Sequence, residues 1–202
     1  MRKDITTEHR ILEAARRVFH AKGMHGARMQ DIADQAGINK AMLHYYFRSK
    51  DQLFEAVFRE ALQQAFPKFE ELWGSDKPLV RKIELFVHGY LDVLINHPFL
   101  PAFVLHEINQ DPEQFERLFL PKGAVAGNKR FLQQVTEEIK KGKIKPIDPR
   151  QLLVNMMSLC IFPFAAKPLI CKMTAMSEKD FRQFIEQRKQ LIPALIIQSI
   201  KV

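Results

Sequence analysis

Apolar residues recur at three- and four-residue spacing along almost the whole chain, which is the pattern of amphipathic helices. Over residues 29–36 this spacing gives a short helix with one apolar face, and Gly37 supplies a residue that can end it in the left-handed conformation. Asn39 can cap a second helix in which Leu43 and Phe47 lie one turn apart. The pattern predicts a helix-turn-helix, whose second helix enters the DNA major groove.

The remaining hydrophobic stripes are also helical, and no convincing strand or repeat interrupts them. Ser49 with Gln52 forms a capping box at the start of a long helix that Pro67 should kink or divide. We therefore expect an all-α chain of about nine helices. Residues 1–48 form a three-helix DNA-binding head, and residues 49–202 form a helical body for effector binding and dimerisation.

The positive charge of the chain is concentrated in the predicted head. The 202 residues carry a net charge of +8, and residues 1–50 hold 10 Lys/Arg against 5 Asp/Glu, while the rest hold 21 against 18. A quarter of the chain thus carries most of the excess, as expected of a nucleic-acid-binding head. The hydrophobic share of 47% and charged share of 27% are those of a globular protein.

The outer face of the second motif helix is basic and aromatic, with almost no acidic residue. Lys40 and Lys50 are suited to phosphates and Tyr46 to the DNA backbone, while Met42, His44 and Tyr45 face base edges. The predicted DNA-binding residues, including the start of the preceding helix and the capping turn, are Arg28, Gln30, Asn39, Lys40, Ala41, Met42, His44, Tyr45, Tyr46 and Lys50. The alternative is a helical corner in an ordinary α-domain.

The first 55 residues resemble the TetR family of bacterial transcription regulators. The resemblance rests on the order and spacing of Ile11 to Ala15, Phe19, Gly23, Asp31-Ile32-Ala33, Ala36-Gly37-Ile38, Leu43, Tyr46-Phe47, Ser49-Lys50 and Leu53. Arg28-Met29, Ala41 and His44 depart from the usual residues at their positions, so base preference does not carry over from relatives. The resemblance implies a ligand-responsive DNA-binding regulator, most simply a repressor released from its operator by a small apolar effector.

Two late helices, over residues 151–166 and 177–202, are more apolar than a small two-domain monomer needs. In proteins that resemble this chain, the last two long helices pack against their two-fold mates as a four-helix bundle. We therefore expect a homodimer and a palindromic operator that matches its symmetry. The predicted interface residues are Phe181, Phe184, Ile185, Leu191 and Leu195.

Aromatic residues dominate the body, because 14 of the 16 phenylalanines lie after residue 50. Most must serve as core, yet helices interrupted by Pro67, Pro101, Pro121 and Pro163 cannot pack as straight rods, and they leave space for a ligand. We expect a largely apolar, aromatic-lined pocket with His88 or His106 as a hydrogen-bonding anchor. Its predicted residues are Phe69, Trp73, Phe86, His88, Tyr90, Phe103, His106, Met157 and Phe162.

Motifs for catalysis and metal binding are hard to find in this sequence. It has no phosphate-binding Gly loop, no G-x-S-x-G elbow and no H-E-x-x-H pair, and Cys160 and Cys171 lack metal-ligand spacing. We expect no enzymatic activity, no cofactor, no metal, no membrane span and a cytoplasmic location. The alternative function is a helical small-molecule-binding or enzymatic protein in which the helix-turn-helix is only scaffold.

Overall fold

The computed structural model describes residues 5–119 and 124–202, and these residues form eleven α-helices. The helices are α1 (Ile5–Gly26), α2 (Met29–Ala36), α3 (Lys40–Tyr46), α4 (Lys50–Gly74), α5 (Leu79–Asn96), α6 (Leu100–Gln110), α7 (Pro112–Phe119), α8 (Ala124–Lys140), α9 (Pro149–Ala165), α10 (Lys167–Thr174) and α11 (Glu178–Ile200). The all-α prediction is confirmed. The expected count of about nine was too low, chiefly because a 74° bend after Ala165 separates the short α10 from α9.

The head is built from α1, α2 and α3 around one buried cluster that also takes in the start of α4. Phe19, Ile32 and Leu43 are fully buried there, and Leu53 and Phe54 of α4 join them. The first turns of α4 are thus part of the head core, while the boundary at residues 48 and 49 stays a prediction.

Helix α4 runs unbroken from the head to the far end of the body, with Pro67 inside it. The alternative that Pro67 divides the helix is therefore wrong. Phe54 near its start lies in the head core, and Trp73 near its end lies in the body core. Between them, Phe58 and Ala61 pack in a third cluster with Leu100 and Phe115. Pro121 lies outside the described residues.

The body core is enclosed by α4, α5, α8, α9 and α11. Ile83, Leu91, Phe131, Met156 and Ile192 are fully buried within it. The C-terminus is tied back to the loop after α8, since the Lys145 amide donates to the Ile200 carbonyl at 2.8 Å. This core supports both the cavity and the outward faces of α9 and α11.

Both cysteines of the chain are free thiols. Cys160 is buried and Cys171 is half-buried, and neither forms a disulfide. Among residues 5–119 and 124–202, no single helix has the length and apolarity to cross a membrane, although the bent pair α9–α10 passes on length and composition.

Candidate DNA-binding surface and effector cavity

Helix α3 is held in a defined orientation by its cap and by two buried side chains. The Asn39 carboxamide oxygen accepts a hydrogen bond from the Met42 amide at 2.7 Å, as an N-cap should. Leu43 and Tyr46 pack inward, being 0% and 7% exposed. Gly37, with φ of 63°, makes the left-handed turn between α2 and α3.

Three cationic side chains fasten the helices of the head to one another. The Arg10 guanidinium of α1 donates to the Ala36 carbonyl at 2.6 Å, at the end of α2. Lys22 forms an ion pair of 2.8 Å with Asp31, and this contact lowers the pKa of the Asp31 carboxyl. Lys50 donates to the Ala27 carbonyl at 3.2 Å, which fixes the start of α4 to the turn before α2. The head is therefore a rigid support for α3.

Most of the predicted DNA-binding residues lie on one solvent-facing surface formed by α3 and the start of α2. The exposed members are Arg28, Gln30, Asn39, Lys40, Ala41, His44 and Tyr45, and the half-buried members are Met42 and Lys50. Tyr46 needs a correction, because its ring belongs to the head core and only a small part of it can meet a phosphate. It follows Leu43 by three residues and so shares that residue's inward face.

Arg48 is an exposed cation on the same surface that the sequence-based prediction missed. It directly follows α3, and its carbonyl oxygen lies 3.3 Å from Nδ1 of His44. That pairing fits the tautomer with the proton on Nδ1, which leaves Nε2 as an acceptor. The signal was available in the sequence, since a basic residue between the buried Phe47 and the cap Ser49 can only point outward.

The body holds a cavity of about 440 Å³ between α4, α5, α6, α7, α8 and α9. Its volume lies in the range of small-molecule sites. Five of the nine predicted pocket residues line it: Phe69, Trp73, Phe86, Tyr90 and Met157. The cavity therefore has aromatic residues of α4 and α5 in its lining, and its role as a ligand site stays a prediction.

The aromatic wall of the cavity is an ordered stack of rings. Trp73 stacks on Phe86 at 4.9 Å between ring centroids, and Phe86 stacks on Tyr90 at 5.3 Å. Phe69 packs across them, 5.2 Å from Phe86. Burial raises the pKa of the Tyr90 phenol, which stays neutral. The wall thus offers a large apolar surface with one hydroxyl.

Four predicted pocket residues do not line the cavity. His88 faces α11, where its Nε2 lies 3.5 Å from the Gln190 amide nitrogen. Phe103 packs against Phe54 and Phe58 at 4.7 and 4.6 Å, between head and body. His106 is exposed on α6, and Phe162 is 61% exposed on α9. Neither histidine can serve as the expected anchor in this arrangement.

The polar groups at the cavity are instead Glu70 of α4, Glu116 of α7 and Asn128 of α8. Helical spacing did not predict these three residues, because a polar residue on the polar side of an amphipathic helix is normally interpreted as solvent-exposed surface. The exposed Leu105 and Ile108 of α6 also line the space and mark its opening.

The predicted dimer residues divide into two groups. Phe181 and Ile185 are 5% and 1% exposed in the core of their own chain, so they are wrong as interface residues. Phe184 is half-buried, with the Arg188 guanidinium 5.4 Å from its ring centre. Leu191 and Leu195 of α11 are 47% and 53% exposed. On the neighbouring α9, Val154 and Phe162 are exposed at eight-residue spacing, which places them on one face.

Comparison with known proteins identifies the family. Residues 11–57 match the family described as bacterial regulatory proteins of the tetR family. The chain is also 28% identical over 192 residues to the HTH-type transcriptional regulator RutR of Escherichia coli K12, covering 95% of this chain and 89% of that protein. The predicted recognition of a TetR-family regulator is thus confirmed. The chain is a DNA-binding transcription regulator, as the sequence predicts.

Other TetR-family proteins share shorter sequence stretches or the fold alone. KstR2, a transcriptional repressor of Mycolicibacterium smegmatis, is 31% identical over 81 residues, which are 40% of each chain. The KstR2 structure from Mycobacterium tuberculosis has a TM-score of 0.69 at 14% identity, covering 99% of this chain and 97% of that one. FadR of Bacillus subtilis, solved with stearoyl-CoA, has a TM-score of 0.63 at 19% identity, covering 95% and 98%.

Proposed function

We propose that this TetR-family regulator is a repressor that binds a palindromic operator as a homodimer and leaves it when a small effector with an apolar body fills the cavity. The observation that carries the proposal is the path of α4. Leu53 and Phe54 of this helix lie in the head core, and Phe69 and Trp73 line the cavity. One continuous helix therefore joins the DNA-binding head to the ligand site.

The homodimer is proposed to form through the exposed faces of α9 and α11. Val154, Phe162, Leu191 and Leu195 leave uncovered apolar surface on two neighbouring helices, and α11 packs against α9 within the chain. A two-fold partner with the same surface would bury these side chains in an isologous interface. Two heads related by that axis would face successive major grooves, so the operator would be palindromic.

The coupling is proposed to act by a tilt of α4 that moves the two heads out of register. Phe103 of α6 packs on both Phe54 and Phe58, so a shift in the cavity wall is passed to the head by direct contact. By linkage, an effector that loosens operator binding a hundredfold binds the DNA-free dimer about 2.7 kcal/mol more tightly than the DNA-bound one.

Two proteins of the same fold support an apolar effector. FadR of Bacillus subtilis was solved with stearoyl-CoA, and KstR2 of Mycobacterium tuberculosis is described as a ketosteroid regulator. Both descriptions name molecules with a large apolar body, which suits the aromatic stack of Trp73, Phe86 and Tyr90. We further propose that the protein has no enzymatic activity and works in the cytoplasm beside the chromosome.

The test is binding of the purified protein to the DNA upstream of its own gene, measured by fluorescence anisotropy at several salt concentrations. We expect saturable binding with a dimer stoichiometry, and Lys40→Glu should abolish it because a carboxylate then faces the phosphates. Lys68→Glu is the matched control, since Lys68 is an equally exposed cation on α4 of the body. Equal loss in both variants, or no specific binding to upstream DNA, contradicts the proposal.

A further inference from the structure

The charges around the cavity all have one sign. Its charged lining residues, among those the structure describes, are Glu70 and Glu116, and the lining contains no Lys, Arg or His. Asn128 adds a neutral polar group. An anionic ligand would lose water at this site without gaining a cation, whereas a cationic ligand would gain two carboxylates.

The two carboxylates, of Glu70 and Glu116, form no ion pair within residues 5–119 and 124–202. Two half-buried glutamates nearby are paired instead: Glu55 of α4 with Arg59 and Glu84 of α5 with Arg81, each at 2.8 Å. Glu70 and Glu116 can therefore receive a charge from outside.

The cavity has a charged end, which carries Glu70 and Glu116, and an apolar end. Glu70 and Glu116 are exposed and lie on α4 and α7, near the exposed Leu105 and Ile108 that mark the opening. The buried lining is apolar and aromatic, with Trp73, Phe86 and Leu94 at most 5% exposed. A ligand that matches both ends has an apolar body and a cationic head at the mouth.

The fold keeps Glu70 at the opening through a close helix approach. A Cβ added at Gly127 of α8 would lie 3.7 Å from the Glu70 Cα and 3.4 Å from the Trp73 ring. Helix α8 thus packs closely on the turn of α4 that carries Glu70, and the adjacent Asn128 lines the same cavity. The carboxylate and the amide are placed by helices rather than by a loop.

From these observations we infer that the cavity is selective for amphiphilic cations, such as aryl-alkyl amines and quaternary ammonium compounds, with Glu70 and Glu116 as counter-charges. This inference names the ligand class of the effector site under the proposed function and rests on it. Binding of the ligand is measured without DNA, however, so the ligand class and the proposed function can be contradicted separately.

The experiment uses three probes that share a phenylbutyl body: one ending in trimethylammonium, one with the nitrogen replaced by carbon, and one ending in carboxylate. Trp73 is the single tryptophan of the chain and lines the cavity, so its fluorescence, excited at 295 nm, reports occupation of this site. We expect the cation to bind roughly tenfold more tightly than its neutral isostere, a difference of about 1.4 kcal/mol, and the anion to bind most weakly. The cation's advantage should shrink as salt is added.

Removing both negative charges tests whether the preference for the cationic probe comes from the Glu70 and Glu116 carboxylates. The double variant Glu70→Gln/Glu116→Gln should reduce the cation's advantage to less than about threefold, since an exposed carboxylate contributes only modestly. Glu71→Gln/Glu113→Gln is the matched control, because it removes the same charge from exposed positions of the same two helices outside the cavity lining. This control should keep the full preference.

Three results would overturn the inference. These are tighter binding of the neutral or anionic probe, equal loss of preference in both double variants, and no change in Trp73 fluorescence with any probe up to millimolar concentration. Operator binding by the same preparations, followed by anisotropy, reports separately on the proposed function. If the protein binds its operator but prefers the carboxylate probe, the proposed function stands and the inferred ligand class is wrong.

Discussion

The head and the body of this protein use their apolar residues in opposite ways. In the head, Phe19, Ile32 and Leu43 are fully buried and leave a polar, basic outer surface that carries Lys40 and His44. In the body, aromatic rings enclose an unfilled cavity, and aliphatic side chains of α9 and α11 face outward. A rigid head can hold a recognition surface, whereas a body with unfilled space and uncovered faces can take a ligand and a partner.

The largest effect is expected when charges are placed on the uncovered apolar face of α9 and α11. Leu191→Glu/Leu195→Glu should convert the dimer to a monomer at micromolar concentration, because four buried carboxylates would repel one another across the two-fold axis. Operator affinity should fall by about 10²–10⁴, the gain that linking two binding modules provides. Sedimentation equilibrium and anisotropy measure the two effects.

The control for this variant is Val80→Glu on α5, where an aliphatic side chain is 41% exposed and is not part of the proposed interface. Val80→Glu should leave both the dimer and operator binding unchanged. A double variant that is still dimeric would show that the exposed leucines of α11 do not form the interface.

The second prediction compares the same truncation in a filled core and at the cavity wall. Leu43→Ala in the head core should lower the free energy of unfolding by about 2–5 kcal/mol, since Leu43 is 0% exposed and its loss leaves a void. Leu153→Ala should cost less than half as much, because Leu153 is half-buried and already borders empty space. Urea unfolding of both variants decides this, and equal losses would mean that the cavity is closed in solution.

The contrast also explains what could be predicted from the sequence. The head surface depends on local helix periodicity, because once Leu43 points inward, the directions of Lys40, His44 and Tyr45 follow. Tyr46 was misplaced since it lies at the edge of that inward face, where a difference of about 20° decides burial. Local rules therefore predicted which side chains of α3 are exposed, and their contact with DNA stays a prediction.

The cavity and the proposed dimer face depend on how distant helices meet, which local periodicity does not describe. Phe181 and Phe162 illustrate this point, because both lie on strongly apolar helices, yet one is core and the other is 61% exposed. Their apolar character was visible in the sequence, but the side of the bundle that each one faces was not. Glu70 and Glu116 were missed for the same reason.

The third prediction separates two roles within the head surface. His44→Ala should change the ranking of operator variants by about 1–3 kcal/mol at one base pair, because His44 is exposed on the face of α3 that we propose enters the groove. Lys40→Ala should instead weaken all sequences alike and lower the salt slope by about one unit per half-site.

Binding-site selection followed by salt titration distinguishes the two variants. Lys40 suits this test better than Lys50, whose ammonium also bonds to the Ala27 carbonyl and supports the head fold. Identical consensus sequences for His44→Ala and the parent protein would remove His44 from base recognition.

The smallest effect is expected at His97, where head and body meet, and it concerns the pH dependence of folding stability. Its imidazole ends α5, its Nδ1 is buried without a hydrogen-bond partner among the described residues, and Arg16 and His20 of α1 lie close enough to influence it. Burial is the main cause that lowers the pKa of His97, the Arg16 and His20 charges lower it further, and Glu60 opposes them.

The sign of the pH effect at this junction follows from that lowered pKa. Well above pH 6.5 His97 is neutral in both states and contributes nothing, whereas near and below pH 6.5 the unfolded chain takes up the proton more readily than the folded one. Folding stability should therefore fall as the pH drops below 6.5, by at most about 1.4 kcal/mol per pH unit. His97→Gln should reduce the loss of folding stability between pH 7 and pH 5.5, as measured by urea unfolding. His106→Gln, a histidine exposed on α6, is the control and should keep the parent profile. If His97→Gln retains the full acid sensitivity, the packing of α5 against the head does not depend on a neutral imidazole.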